Sequence, residues 1–110
     1  MDVHQKEIVL LEWRYSNHAE SKIRPAIVIS NDRYNECSED CLAVPLTSVL
    51  KEDPYSVILN PNEVQGSLSK ISRIRVDKIS SFEKEMISDT IGTINEKTLS
   101  KITSKLKLLF

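Results

Sequence analysis

The sequence predicts a mainly β chain with one α-helix, an α+β fold in which many short strands curl into a small barrel-like sheet and a terminal helix packs on it. Three observations predict it. Short apolar, β-branched runs recur between polar turns, and residues 71–79 (ISRIRVDKI) alternate with period two. Residues 95–110 carry Leu99, Ile102, Leu106 and Leu109 at helical spacing behind Asn95, a good N-cap. At 110 residues and 12.6 kDa, residues 1–110 are expected to form a single domain with one core.

Glu7–Trp13 (EIVLLEW) reads as the first strand and Asn17–Lys22 as a polar loop. Arg24–Ser30 (RPAIVIS) is nearly all small or β-branched apolar, which suits a strand covered on both faces. Pro25, lacking an N–H, belongs at that strand's first residue or edge, and it holds Arg24 extended. Asn31–Asp40 is a polar connection with a helical turn capped by Asn31 or Asp32. Cys41–Thr47 and Tyr55–Asn60 are further strands, followed by a turn around Pro61 and Gly66. In 71–79, Ile71, Arg73, Arg75, Asp77 and Ile79 share one face. Ser80-Ser81-Phe82-Glu83 matches a capping box opening a short helix, and a last strand runs near Thr90–Ile94.

Formal net charge is −1, so no global field recruits nucleic acid. Charge is nevertheless segregated. Residues 66–78 carry Lys70, Arg73, Arg75 and Lys78 against Asp77 alone, while 36–40 carry Glu36, Glu39 and Asp40 with no base. There is no signal-peptide pattern and no apolar run near the roughly 20 residues of a spanning helix, so the chain reads as cytoplasmic with no membrane partner. Cys37 and Cys41 read as thiols, and with only His4 and His18 as imidazoles no metal site is expected.

A strand pairing of 24–30 with 41–47 through the intervening loop places residues whose numbers sum to 71 opposite one another, Arg24 facing Thr47. Arg24 is then either a rim arginine or half of a phosphate grip, its guanidinium supplying charge-assisted bonds and Thr47 a hydroxyl. Arg73 and Arg75 can hold backbone phosphates while Asp77 orients a base or an arginine, the alternative being a solvated ion pair. His18, in a loop near Arg24 in sequence, is either a solvent-exposed loop histidine or the proton-transfer group, imidazole being the side chain best suited to that near neutral pH.

RPAIVISND, PLTS and LSKISRIRVDKIS, in this order, resemble the MazF/PemK-type toxin endoribonucleases of toxin–antitoxin systems. The resemblance extends through Tyr34-Asn35, Gly66-x-Leu68 and Ile91-Gly92. It implies an SH3-like, PemK-like barrel, a homodimer, and cleavage of single-stranded RNA at short sequences without metal or other cofactor. The products it implies are 2′,3′-cyclic phosphate and 5′-hydroxyl ends, and the partner a cognate antitoxin. By motif position Arg24 and Thr47 match the family's catalytic arginine and threonine, and Arg75 and Asp77 its Arg-x-Asp. The catalytic set is then Arg24, Thr47, Asp77 and His18, and the RNA-binding set Arg75, Arg73, Ser48, Glu20, Lys22 and Lys70. The base that takes the 2′-hydroxyl proton is His18, Asp77 or water. Glu7 stands where the family carries a glycine. The rival readings are a CcdB-like, non-enzymatic gyrase-binding toxin, against which the KLLF terminus speaks, and an inactive binding module of the same fold.

Overall fold

The computed structural model describes residues 2–14 and 21–110, the side chains at 13, 14 and 21 excepted. Strands β1 (Glu7–Arg14), β2 (Ser21–Val28) and β3 (Asp40–Thr47) form an antiparallel meander, with helix α1 (Asp32–Cys37) between β2 and β3. Then come β4 (Ser56–Leu59), β5 (Val64–Gly66), β6 (Ser72–Arg75), β7 (Ser80–Glu83) and β8 (Ile87–Ile94), and helix α2 (Glu96–Leu108) ends the chain. The strand order is β4-β6-β3-β2-β1-β8-β5, with β7 paired to β3 off this path. The sheet thus curls into a half-barrel, and no described helix is long and apolar enough to cross a membrane.

Both helix starts follow from capping chemistry. Asn31 accepts from the Tyr34 N–H at 2.8 Å and Asn95 from the Thr98 N–H at 2.8 Å, each satisfying an orphan donor of the first turn. The stripe of α2 is core at Leu99 and Ile102 and fades outward, Leu106 being half-buried and Leu109 exposed.

Strand alternation sorts the interior into two clusters. Ile8, Ile27, Val44, Leu46 and Ile74 face one core with Leu99 and Ile102 of α2. Val9, Leu11, Ala26, Val28, Cys41 and Ala43 face the other, completed by Val3, Ile87 and Phe82. Strand β2 is therefore buried on both faces over 26–28, as its apolar run predicts. Burial pushes the Cys41 thiol pKa up, which keeps it neutral.

Three expectations are corrected. Strand β2 begins at Ser21, so Pro25 lies inside it. The Ile29 N–H donates to Leu42 O, so by alternation the absent N–H of Pro25 points toward β3, beyond the last paired residues, Ala26 and Pro45. The alternating strand at 71–79 stops at Arg75, and residues 76–78 form a 3₁₀ turn. Three residues per turn bring Val76 and Ile79 to the same side, against the first core, so Ile79 leaves the arginine face. The capping box at 80–83 opens no helix. Those residues pair as β7 with Asp40–Ala43, and Phe82 packs on the second cluster, so tertiary pairing overrides the local signal.

The outer edge of β3 is shared between β7, along 40–43, and β6, along 46–47. The gap between them falls at Val44 and Pro45. Since Leu42 O faces β2, alternation turns the Pro45 nitrogen outward into this gap, where no strand requires a donor.

Candidate active site

The register of β2 on β3 is Ala26 with Pro45, Ile27 with Val44 and Val28 with Ala43, the pairing expected from the sequence. Continued by two residues it brings Arg24 opposite Thr47, just past the end of the ladder. On the other side of Thr47 stands Arg73, its direct partner on β6. Arg24, Thr47 and Arg73 thus make one cross-strand row over three strands. Two depressions meet on this row, of about 680 and 360 Å³, and Arg24, Leu46 and Thr47 line both. The larger continues past Arg73, Arg75 and Asp77 to Lys78 and Ser80. The smaller takes in Lys22, Ser48, Ser69 and Lys70.

The Arg24 backbone pairs with Leu11 of β1, which sets the half-buried side chain at a fixed point of the sheet. Thr47 Oγ1 accepts from the Val49 N–H at 3.2 Å, which leaves the hydroxyl proton for an acceptor in the groove. Arg75 Nη2 donates to Asp77 Oδ2 at 3.1 Å, each side chain 35 % exposed. A half-exposed pair of this kind adds about 0–1 kcal/mol to stability, so it is retained at little thermodynamic advantage.

Arg73 is the buried basic residue of the groove. It is 6 % exposed, and its Nη1 donates to Asp53 Oδ2 at 2.7 Å and to Lys51 O at 3.3 Å. Its Nη1 is thus committed to the segment 51–56, while the residue lines the groove wall. Asp53 also accepts from the Tyr55 N–H at 2.8 Å and the Ser56 hydroxyl at 2.6 Å. Those hydrogen bonds, from Ser56 first and then Tyr55, with Arg73 adding to them, hold the Asp53 carboxyl below the usual carboxylate range. Arg73 Nε and Arg75 Nε are buried without a hydrogen-bond partner among the described residues.

Of the expected site residues, the structure gathers Arg24, Thr47, Ser48, Lys22, Lys70, Arg73, Arg75 and Asp77 about one groove. His18 and Glu20 lie outside the described residues. Asp53, Val49, Lys78 and Ser80 were not singled out by sequence reasoning. Lys78 carried a signal in the basic run 66–78; Asp53 carried none, because its partner is 20 residues away. The acidic segment 36–40 gathers elsewhere: Glu36 and Glu39 meet Glu83 and Glu85 around a separate depression of about 480 Å³. There a hydrogen bond with Glu85, and then its charge, raise the Glu83 pKa. A chain of net charge −1 therefore has a mainly basic groove, with a group of its glutamates gathered on another surface.

The model of the PemK-like, MazF-like toxins of type II toxin–antitoxin systems matches residues 4–110. The chain belongs to this family. Among curated members it is similar to Endoribonuclease MazF4 of Mycobacterium tuberculosis and Endoribonuclease MazF1 of Mycobacterium bovis. It is 25% identical to each over 83 residues, which are 76% of this chain and 74% of the relative. Among solved structures, the MazE-MazF complex (Form-III) of Deinococcus radiodurans superposes with a TM-score of 0.83 at 23% identity, covering 99% of this chain and 96% of that one. A mycobacterial endoribonuclease in complex with its cognate antitoxin gives 0.80 at 21% identity, covering 96% and 92%. At such identities the structural likeness shows the MazF fold, and the PemK-like half-barrel with its terminal helix is that fold.

Proposed function

We propose that the chain is an endoribonuclease toxin that cuts single-stranded RNA in the groove of Arg24 and Thr47. The observation that carries this reading is the juxtaposition of a sheet-fixed arginine and a hydroxyl with its proton to spare, shared by two basic depressions. The relatives' name, endoribonuclease, agrees with it.

The RNA's 2′-oxygen attacks the adjacent phosphorus, the O2′–P bond forms and the P–O5′ bond breaks. The products are a 2′,3′-cyclic phosphate and a 5′-hydroxyl. The nucleophile belongs to the substrate, so the protein positions the phosphate and stabilises charge, with no metal required. Arg24 binds the non-bridging oxygens as negative charge builds on them, and Thr47 donates to the same phosphate. Lys22, Ser48 and Lys70 hold the chain on one side, Arg75 and Lys78 on the other. The 2′-hydroxyl proton passes to a base and a proton is delivered to O5′; His18, Asp77 and water are the candidate bases. The need for a 2′-hydroxyl discriminates against DNA. The reading includes a homodimer in the cytoplasm and a cognate antitoxin that covers the groove.

Incubation with mixed-sequence RNA in EDTA, with cut sites and end groups mapped, tests the proposal. Cyclic phosphate ends are expected, and Arg24→Ala should lower the rate by about 10²–10³-fold, the loss typical of one oxyanion donor. Cleavage unchanged in Arg24→Ala, or strictly Mg²⁺-dependent, would overturn it. The pH–rate profiles of His18→Ala and Asp77→Asn assign the base, since its loss removes the limb it titrates. Light scattering should give twice the 12.6 kDa chain mass.

A further inference from the structure

Strands β3 and β4 both run antiparallel to β6, which lies between them, so the segment 48–55 that joins them must cross over β6 from the Arg73 level, where β3 ends, to the Arg75 level, where β4 begins. Two strand spacings are about 10 Å, and nothing in the sequence of this connection fixes its path. In the structure a backbone bond from the Val76 N–H to Tyr55 O and one buried side chain tie it down. The Arg73 backbone pairs with Thr47 on one side and Ile58 on the other, and its guanidinium reaches the crossing segment at Lys51 O and Asp53. Asp53 in turn holds the Tyr55 N–H and the Ser56 hydroxyl, where β4 begins. At the other end of the same segment, the Val49 N–H donates to Thr47 Oγ1.

We infer that the Asp53–Arg73 ion pair is a latch that positions Thr47, so that Arg73 and Asp53 are positioning residues for the cleavage site. This inference rests on the proposed function for its catalytic consequence. The pair pins segment 48–55, the pinned segment holds the Val49 N–H against Thr47 Oγ1, and that bond turns the hydroxyl proton into the groove. Val49, 62 % exposed, lines the larger depression from the same segment, so the latch also sets that wall. A role in position explains a feature that stability alone does not. Buried ion pairs are often replaceable by packed apolar residues without loss of stability, and here Arg73 Nε is buried unpartnered as well.

The test compares Arg73→Met, Arg73→Lys and the double variant Arg73→Met/Asp53→Leu with wild type, well below each melting temperature. Arg73→Met should lower kcat by about 10- to 100-fold, the effect of misplacing one group by about an ångström, with KM little changed. Arg73→Lys should restore part of it. The double variant should keep a wild-type melting temperature and still lose kcat. In a Thr47→Val background, Arg73→Met should cause no further loss. Multiplicative losses in that background, or wild-type kcat in Arg73→Met, would overturn the latch. Amide hydrogen exchange separates this from the proposed function: it should quicken at Val49 and Tyr55 in Arg73→Met whether or not RNA is cut. Unchanged exchange at Val49 refutes the latch, and absent cleavage by wild type refutes the proposed function alone.

Discussion

Substituting Gly66 by alanine should detach the edge of the sheet, and its cost can be worked from the geometry. Gly66 has φ +136° and pairs with Gly92 across β5 and β8. A Cβ there would stand 2.3 Å from Ile91 O and 2.5 Å from Gly92 Cα, both backbone atoms of β8, so no rotamer change relieves it. The chain has two responses. Keeping the backbone costs about 1–3 kcal/mol for the left-handed conformation alone, before the overlap is counted. Releasing β5 forfeits a three-residue ladder at about 1 kcal/mol per hydrogen bond, with little apolar burial lost because its side chains are exposed or half-buried. The second route caps the penalty near 3 kcal/mol, a fall in melting temperature of roughly 10–15 °C. Urea melts followed by far-UV circular dichroism would measure it as a lower midpoint at unchanged slope. Gly92→Ala is the milder comparison: its Cβ meets the backbone Gln65 O and Val64 Cγ1, both at 2.9 Å, so β5 must shift there too, but by less and without a left-handed conformation to hold. A Gly66→Ala protein within about 0.5 kcal/mol of wild type, or more stable than Gly92→Ala, would mean that neither the left-handed conformation nor the backbone overlap carries a cost. Leu68, Ser69 and Lys70 follow β5 directly, so RNA affinity should fall with the detachment.

Further outcomes follow from the same geometry. Ile102→Ala, at a fully buried position of α2, should cost about 2–5 kcal/mol in urea melts, while Leu109→Ala on the exposed end of the stripe should stay within about 0.5 kcal/mol. Lys70→Met should reduce the slope of log affinity against log salt for a 2′-O-methyl RNA by about 0.7, the share of one phosphate contact on a single strand. Glu83 has a folded pKa raised by Glu85, so its contribution to stability is present in acid and lost as pH rises through that value. Glu83→Gln should therefore raise the melting temperature at pH 7 and leave it unchanged near about pH 4. Asp53, with a lowered folded pKa, runs the other way: its contribution stands above the ordinary carboxylate value and is lost as pH falls through the depressed one. Asp53→Asn should thus destabilise at pH 7 and progressively less in acid, measured by the same melts.

The local signals carried much of this molecule. Asn31 and Asn95 announced their helices because a cap is a contact between near neighbours, and the apolar run 26–28 announced a doubly covered strand because burial on both faces leaves no polar position. The register of β2 on β3 is the simplest antiparallel pairing of the two apolar runs, which a connection of about ten residues does not itself fix, and with it came the meeting of Arg24 and Thr47. The tertiary structure decided what depends on distant partners. Residues 80–83 read locally as a helix start, and the free half-edge of β3 made them a strand. The alternation at 71–79 was broken by a 3₁₀ turn that returns Val76 and Ile79 to the core. Arg73 read as one more basic residue of the groove, and only the passage of 48–55 over β6, which brings Asp53 to it from 20 residues away, gave it a structural partner. Sequence spacing reports neighbours along the chain; which strand edge is open, and which loop crosses it, is settled only when the sheet closes.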